Sequence, residues 1–214
     1  WDWATAKKYF ERAYALNPGS ALVLRRTAWF YFSVGPAEKA LELTRKAVSL
    51  DPLSPTAYNN LGSMALAANR VKEAEAAYKK SLDLRPENGT TRTSLARGYL
   101  QQKRYTEAKA EFEKLPADSP WRLYGTALVA HALGDTKEAD EALQTYIEKR
   151  KDISTYQIAQ IYAYRGEADQ AMQWLERAYQ LHDQGLAEIK YNQFLSTLKG
   201  NPQYDAFLRK MNLD

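Results

Sequence analysis

Cysteine is missing altogether from these 214 residues, and histidine occurs only twice, at His131 and His182. The first absence excludes disulfides, thiol nucleophiles and thiolate metal sites, and is compatible with a reducing or an oxidising compartment. The second leaves little with which to move protons or hold a metal, and no HExxH motif or glycine-rich phosphate loop makes up the deficit. No run of 18 apolar residues occurs, so nothing within the chain reads as a membrane-spanning helix. Basic residues outnumber acidic ones by only 30 to 26, and the KK, RR and KR pairs are scattered among Glu and Asp. A phosphate backbone needs a concentrated cationic stripe, so nucleic acid is not an expected partner; the mild excess favours an acidic one.

The charged residues clustered at helical spacing have plainer readings than chemistry. Glu73, Glu75, Glu138 and Asp140 stand beside Lys and Arg at helical spacing, which makes them solvated faces with weak pairs rather than acid–base dyads. Asn88-Gly89-Thr90 matches a glycosylation acceptor but falls where a turn is needed. No catalytic residue, metal site or cofactor is expected.

What the chain does have is a period. Pro18, Pro52, Pro86 and Pro120 lie 34 residues apart, and so do Ala6, Ala40, Ala74 and Ala108. Two markers on one 34-residue grid predict helix–turn–helix units that stack because none can bury its apolar face alone. Hydrophobic residues at 45 % and charged residues at 26 % suit a folded chain, and 15 Tyr with 5 Trp supply much of the apolar surface as rings with a polar edge.

Taken in order, Trp3, Ala6, Phe10, Ala13 and Tyr14 mark one face of a first helix. It reads as the second helix of a repeat whose first helix precedes it, so its face is expected to be covered by upstream chain or by another molecule. Complete units follow at 20–52, 54–86 and 88–120, the last with its second helix cut short by Pro116. Units at 120–150 and 152–182 keep helix spacing but lack the closing proline. The segment 183–214 leaves the period. Asn201-Pro202 predicts an N-cap and first helical position, and Tyr204, Phe207, Leu208 and Met211 the stripe of a final capping helix.

The set Tyr58, Leu61, Gly62, Ala74, Tyr78 and Pro86 resembles the tetratricopeptide repeat family. The resemblance implies an all-α fold, a right-handed superhelical solenoid of antiparallel helix pairs, spanning 1–182 with a helical cap at 183–214. The two ends, Trp1 to Pro18 and Asp183 to Leu213, are also similar to C-terminal arrays of bacterial signalling proteins that carry TolB-like, winged-helix, cyclase or kinase modules. In such stacks the first helix of each pair lines the concave side. The register then places Arg25, Trp29, Asn59, Asn60, Ser63, Arg97, Tyr124, His131, Tyr156, Gln160 and Tyr164 on a groove wall that can hold an extended peptide: amides for its backbone, arginines for its carboxylates, rings for its apolar side chains. Trp29, Tyr124 and Tyr156 fit packing between repeats equally well. The carboxylate clamp of some family members corresponds here to Arg25, Trp29, Asn60, Thr90 and Ser94, of which only Arg25 and Asn60 are compatible.

The sequence therefore predicts a non-catalytic module that binds a protein or extended peptide in its groove, within a larger bacterial signalling or regulatory protein. The alternative is self-association, a homodimer joined through the first helix around Phe10 and Tyr14.

Overall fold

The computed structural model describes residues 1–213. The chain divides into two compact units, Trp1–Gly98 and Tyr99–Asp214. Helices are the only regular structure among the described residues. The first unit contains α1 (Trp3–Leu16), α2 (Ala21–Val34), α3 (Ala37–Leu50), α4 (Pro55–Ala67), α5 (Val71–Leu84) and most of α6 (Gly89–Gln101). The second contains α7 (Tyr105–Glu113), α8 (Pro120–Leu133), α9 (Thr136–Arg150), α10 (Thr155–Tyr164) and α11 (Ala168–Gln180). It ends in two 3-10 helices, Gln184–Tyr191 and Gln193–Leu198, and α12 (Pro202–Lys210).

Helix starts follow the grid. Ser20, Ser54 and Asn88, 34 residues apart, each accept a hydrogen bond from the amide three residues on: Val23 at 3.4 Å, Ala57 at 3.3 Å and Thr91 at 3.2 Å. Turns within the helix pairs are equally regular. Asn69, Lys103, Gly134 and Gly166 adopt φ of 58°, 58°, 82° and 79°. The next amide then returns to the carbonyl five residues earlier, as from Arg70 to Ala65 (2.7 Å) and from Arg104 to Tyr99 (2.9 Å). α7 stops at Glu113 after 9 residues, ahead of Pro116, as the sequence leads one to expect.

Packing within each unit alternates small residues with rings. A Cβ on Gly62 of α4 would lie 2.4 Å from the ring of Tyr78 on α5, and one on Gly125 of α8 would lie 2.2 Å from that of Phe112 on α7. Both rings are buried, so neither can swing away at little cost. On the outer side of the first unit Arg45 grips Glu73 through two bonds of 2.8 and 2.6 Å. The pair holds the carboxyl below its ordinary value and contributes at most about 1 kcal/mol at this exposure.

The C-terminal segment departs from expectation in detail. It contributes two 3-10 helices as well as the anticipated α12, with Asn201 capping and Pro202 in the first turn. The 3-10 pair lies on α10: Asn192 Nδ2 donates to the Tyr156 hydroxyl at 2.9 Å, and Thr197 Oγ1 donates to the Ala163 carbonyl at 2.6 Å. α12 joins α11 through Lys210, which pairs with Glu176 at 2.6 Å and sits 4.2 Å over the ring of Tyr179.

Replacing Gly62 by alanine forces the buried Tyr78 ring to move. Gly62→Ala is expected to lower unfolding stability by about 1–3 kcal/mol, despite alanine's better helix propensity. Urea denaturation followed by circular dichroism checks it.

Candidate functional site

In the first unit one face of α2, α4 and α6 repeats at 34-residue spacing: Arg25, Asn59 and Thr93 in one row, Trp29, Ser63 and Arg97 in the next. Members of each helix are four apart, so the two rows share a face. Arg25, Trp29, Asn59, Ser63 and Arg97 are all partly exposed. Arg25 Nε and Asn59 Oδ1 are enclosed without a hydrogen-bond partner, one an unused donor and the other an unused acceptor in the same row. The Ser63 hydroxyl lies 3.3 Å from the Asn59 carbonyl and 3.2 Å from the Tyr78 hydroxyl. Asn60, expected on this wall, is instead 5 % exposed, because its helix position turns it into the α4 core.

The second unit corrects three more wall residues. Tyr124 is fully buried, its ring against Phe112, Trp121 and Tyr146, and its hydroxyl donates to Gln160 Oε1 at 2.7 Å. Gln160, 1 % exposed, is thereby committed to an internal bond. Tyr156 is fully buried beneath the C-terminal segment, where a Cβ on Gly185 would lie 2.5 Å from its ring. None of the three can meet a ligand in this arrangement. Sequence periodicity names the helix face but not whether a later segment lies on it.

His131 and Tyr164 remain accessible in a cleft of about 450 Å³ bordered by Leu100, Gln101, Lys103, Tyr105, His131, Ala132, Tyr164 and the second 3-10 helix. Their rings meet edge to face at 5.9 Å, and Phe194 closes on the other side of Tyr164 at 5.3 Å. Burial, with a smaller contribution from Tyr105, pushes the Tyr164 phenol up to about 12. Burial also lowers the His131 pKa, and the Arg165 guanidinium acts in the same direction. Lys103, Tyr105 and Phe194 were not singled out in the sequence; Lys103 was legible as the one long side chain at the turn position that Asn69, Gly134 and Gly166 hold elsewhere.

A property of the whole chain emerges once helix bounds are known. α2, α4, α6, α8 and α10, the first helices of their pairs, contain no Asp or Glu at all. They carry Arg25, Arg26, Arg92, Arg97 and Arg122. The carboxylates stand on the other helices and in the turns. α1, by contrast, has no fully buried residue, yet its Phe10 stacks on Phe30 at 5.4 Å and Tyr14 packs on the cluster of Leu24, Ala28, Leu43 and Ala47. The rings read as an uncovered joining face thus pack against α2 and α3 of the same chain. Among the described residues no helix is long and apolar enough to cross a membrane, and no cluster of three metal-ligating side chains occurs.

Family models described as tetratricopeptide repeat match residues 2–55, 34–89, 65–130, 123–152 and 154–182. Cellulose synthase operon protein C of Pseudomonas fluorescens (strain SBW25) is 29 % identical over 148 residues, which cover 68 % of this chain and 11 % of that protein. The chain therefore spans about a tenth of that relative. Among solved structures, PilW, a widely conserved type IV pilus biogenesis factor, is similar with a TM-score of 0.62 at 21 % identity, covering 92 % of this chain and 90 % of that one. YrrB, a TPR protein with an unusual peptide-binding site, gives 0.51 at 23 % identity, covering 85 % and 96 %. These likenesses show the fold, an all-α solenoid of helix pairs.

The neutral form of His131 is the one its burial favours. The stability this form provides is complete above the ordinary value of 6.5 and is lost as pH falls through the depressed folded value. His131→Gln is expected to lessen the fall in melting temperature between about pH 7.5 and 5.5, a window above most carboxylate titrations. Thermal melts of both proteins across that range test this.

Proposed function

Because the chain belongs to the tetratricopeptide repeat family, we propose that it is a non-catalytic interaction module that holds an acidic, extended segment of a partner protein against its first helices. It serves as a scaffold part of a larger bacterial signalling or regulatory protein, a reading that agrees with the small share of the length of cellulose synthase operon protein C it spans. The observation that carries the partner's chemistry is the charge segregation: five arginines and no carboxylate on α2, α4, α6, α8 and α10. In the first unit the partly exposed guanidinium of Arg25 can donate to a carboxylate of the ligand, the partly exposed Asn59 amide can bond its backbone, and Trp29 offers a ring to an apolar side chain. Arg97 adds a second cation on the same face; in the second unit, taken by itself, His131 and Tyr164 are first-helix residues that stay accessible. YrrB, which shares the fold, is described as having a peptide-binding site, and that supports a peptide as the kind of ligand.

Labelled decapeptide pools, blocked at both ends and differing in net charge, provide the test by fluorescence anisotropy. The acidic pool is expected to bind best and to weaken as salt rises, since exposed charge pairs are screened beyond about 8 Å at physiological ionic strength. Arg25→Glu with Arg97→Glu is expected to reduce that binding at least tenfold with the helical circular-dichroism signal intact. Equal binding of acidic, neutral and basic pools, or an unaffected double variant, would sink the reading.

A further inference from the structure

Two arginines act as struts between second helices of the first unit, and the second unit has neither. Arg45 on α3 bonds Glu73 on α5 at 2.8 and 2.6 Å, and Arg70, at the start of α5, reaches back to Glu38 on α3 at 3.2 Å. The repeats align on their buried alanines, Ala40 with Ala108 and Ala74 with Ala139. That register puts Glu113 of α7 in the place of Arg45 and Asp135, the residue before α9, in the place of Arg70. Glu138 of α9 takes the place of Glu73. Both cations have become carboxylates, while the carboxylate that Arg45 grips is retained.

A cavity of about 280 Å³ occupies this interval, and Glu113, Asp135 and Glu138 all border it. Its apolar part is Phe112, Val129 and Leu133. Leu133 is 53 % exposed and stands where α4 is followed by the small Ala68, so the second unit offers a larger apolar contact at the same place.

The cations nearby do not replace the lost struts. Arg122 is committed to backbone, donating to the carbonyls of Glu113 and Leu115 at 3.1 Å each. Lys109 stands 3.9 Å from Glu113, one turn away on the same exposed helix face, where a pair contributes little. Lys137 and Arg165 face Glu141 and Asp140, and Glu138 has no ion pair among the described residues. Asp135 accepts from the Glu138 amide at 3.0 Å as an N-cap, which fixes it at the cavity's edge.

We propose that this cavity is a docking site for an arginine of a partner protein. The guanidinium takes, beside Glu138 and Glu113, the place that Arg45 holds beside Glu73, and an apolar neighbour of that arginine packs on Leu133. A planar fork of donors suits two carboxylates on different helices better than a point charge does, and the protein's own struts are arginines. The apolar floor suits the methylene stem of that side chain, whereas a hydrated metal ion asks for oxygen ligands all round. The site goes beyond the reading above: it lies between second helices and takes a cation, so neither depends on the other.

The probes are labelled, doubly blocked heptapeptide pools, uncharged at their randomised positions, with a central Leu-Arg, Leu-Lys or Leu-citrulline pair. Citrulline keeps the shape of arginine and removes its charge. Fluorescence anisotropy is expected to show the arginine pool bound about tenfold more tightly than the citrulline pool, the difference one charge-assisted contact makes. Glu113→Arg builds the first unit's strut into the second. It is expected to preserve or raise the melting temperature and to bring arginine-pool binding down to the citrulline level. Glu138→Gln, which leaves the slot empty, is expected to weaken arginine binding by a similar factor. Equal binding of the arginine and citrulline pools, a lysine pool bound as tightly as the arginine pool, or arginine binding unchanged in both variants would overturn the proposal. So would a lower melting temperature for Glu113→Arg, because the two intervals would then not be equivalent.

Discussion

A buried ring laid against a glycine backbone is the contact on which each unit's helix pairing depends. Tyr78 occupies the space a side chain at position 62 would need, Phe112 does the same at 125, and Tyr156 at 185. Each ring makes many weak dispersion contacts with a flat stretch of backbone, and that close approach sets the separation of the two elements. Alanines continue the pattern: Ala28, Ala40, Ala74, Ala108 and Ala139 are all buried almost completely. Bulk on one helix answers its absence on the next, so that repeats of quite different sequence keep one spacing.

That spacing frees the rest of each first helix for another purpose. Once small residues and rings have met the packing need, the polar residues left at least partly exposed are arginines on α2, Thr, Asn and Ser on α4, and Thr, Ser, Arg and Gln on α6, with no carboxylate on any of the three. Second helices carry many of the acids and use some of them in pairs such as Arg45 with Glu73 and Lys210 with Glu176. An exposed pair contributes little to stability. The separation of charge matters more for recognition, because a carboxylate-free face attracts acidic segments and repels basic ones.

The C-terminal segment repeats a bond while abandoning the regular helix. Tyr124 donates to Gln160 across 36 residues, and Asn192 donates to Tyr156 across the same 36. A phenol paired with an amide thus recurs one unit later, with the 3-10 pair standing where another first helix would be. The apolar face of α10 is covered by Leu186, Ile189, Phe194 and Leu198, all at most 2 % exposed. Asp183 reinforces the junction, accepting from Thr155 Oγ1 at 2.8 Å and the Tyr156 amide at 3.0 Å at the start of α10. An anion suits a helix N-terminus, where amides lack partners.

Much of this was readable from residue order. The 34-residue grid of Pro and Ala names the repeat, the Ser20, Ser54 and Asn88 positions name helix starts, and Pro116 marks a shortened helix, because each is a local steric or hydrogen-bonding requirement that needs no knowledge of neighbours. The five arginines among the first helices were present too, though their isolation from carboxylates only became countable with the helix ends. Tertiary structure alone decided which wall residues are free. Tyr124, Tyr156 and Gln160 share the register of His131 and Tyr164, yet three are buried and two are not, since a segment distant in sequence lies over α10 and a hydroxyl reaches from α8 to an amide on α10. Periodicity determines the direction a side chain faces, whereas burial depends on what arrives from elsewhere in the chain.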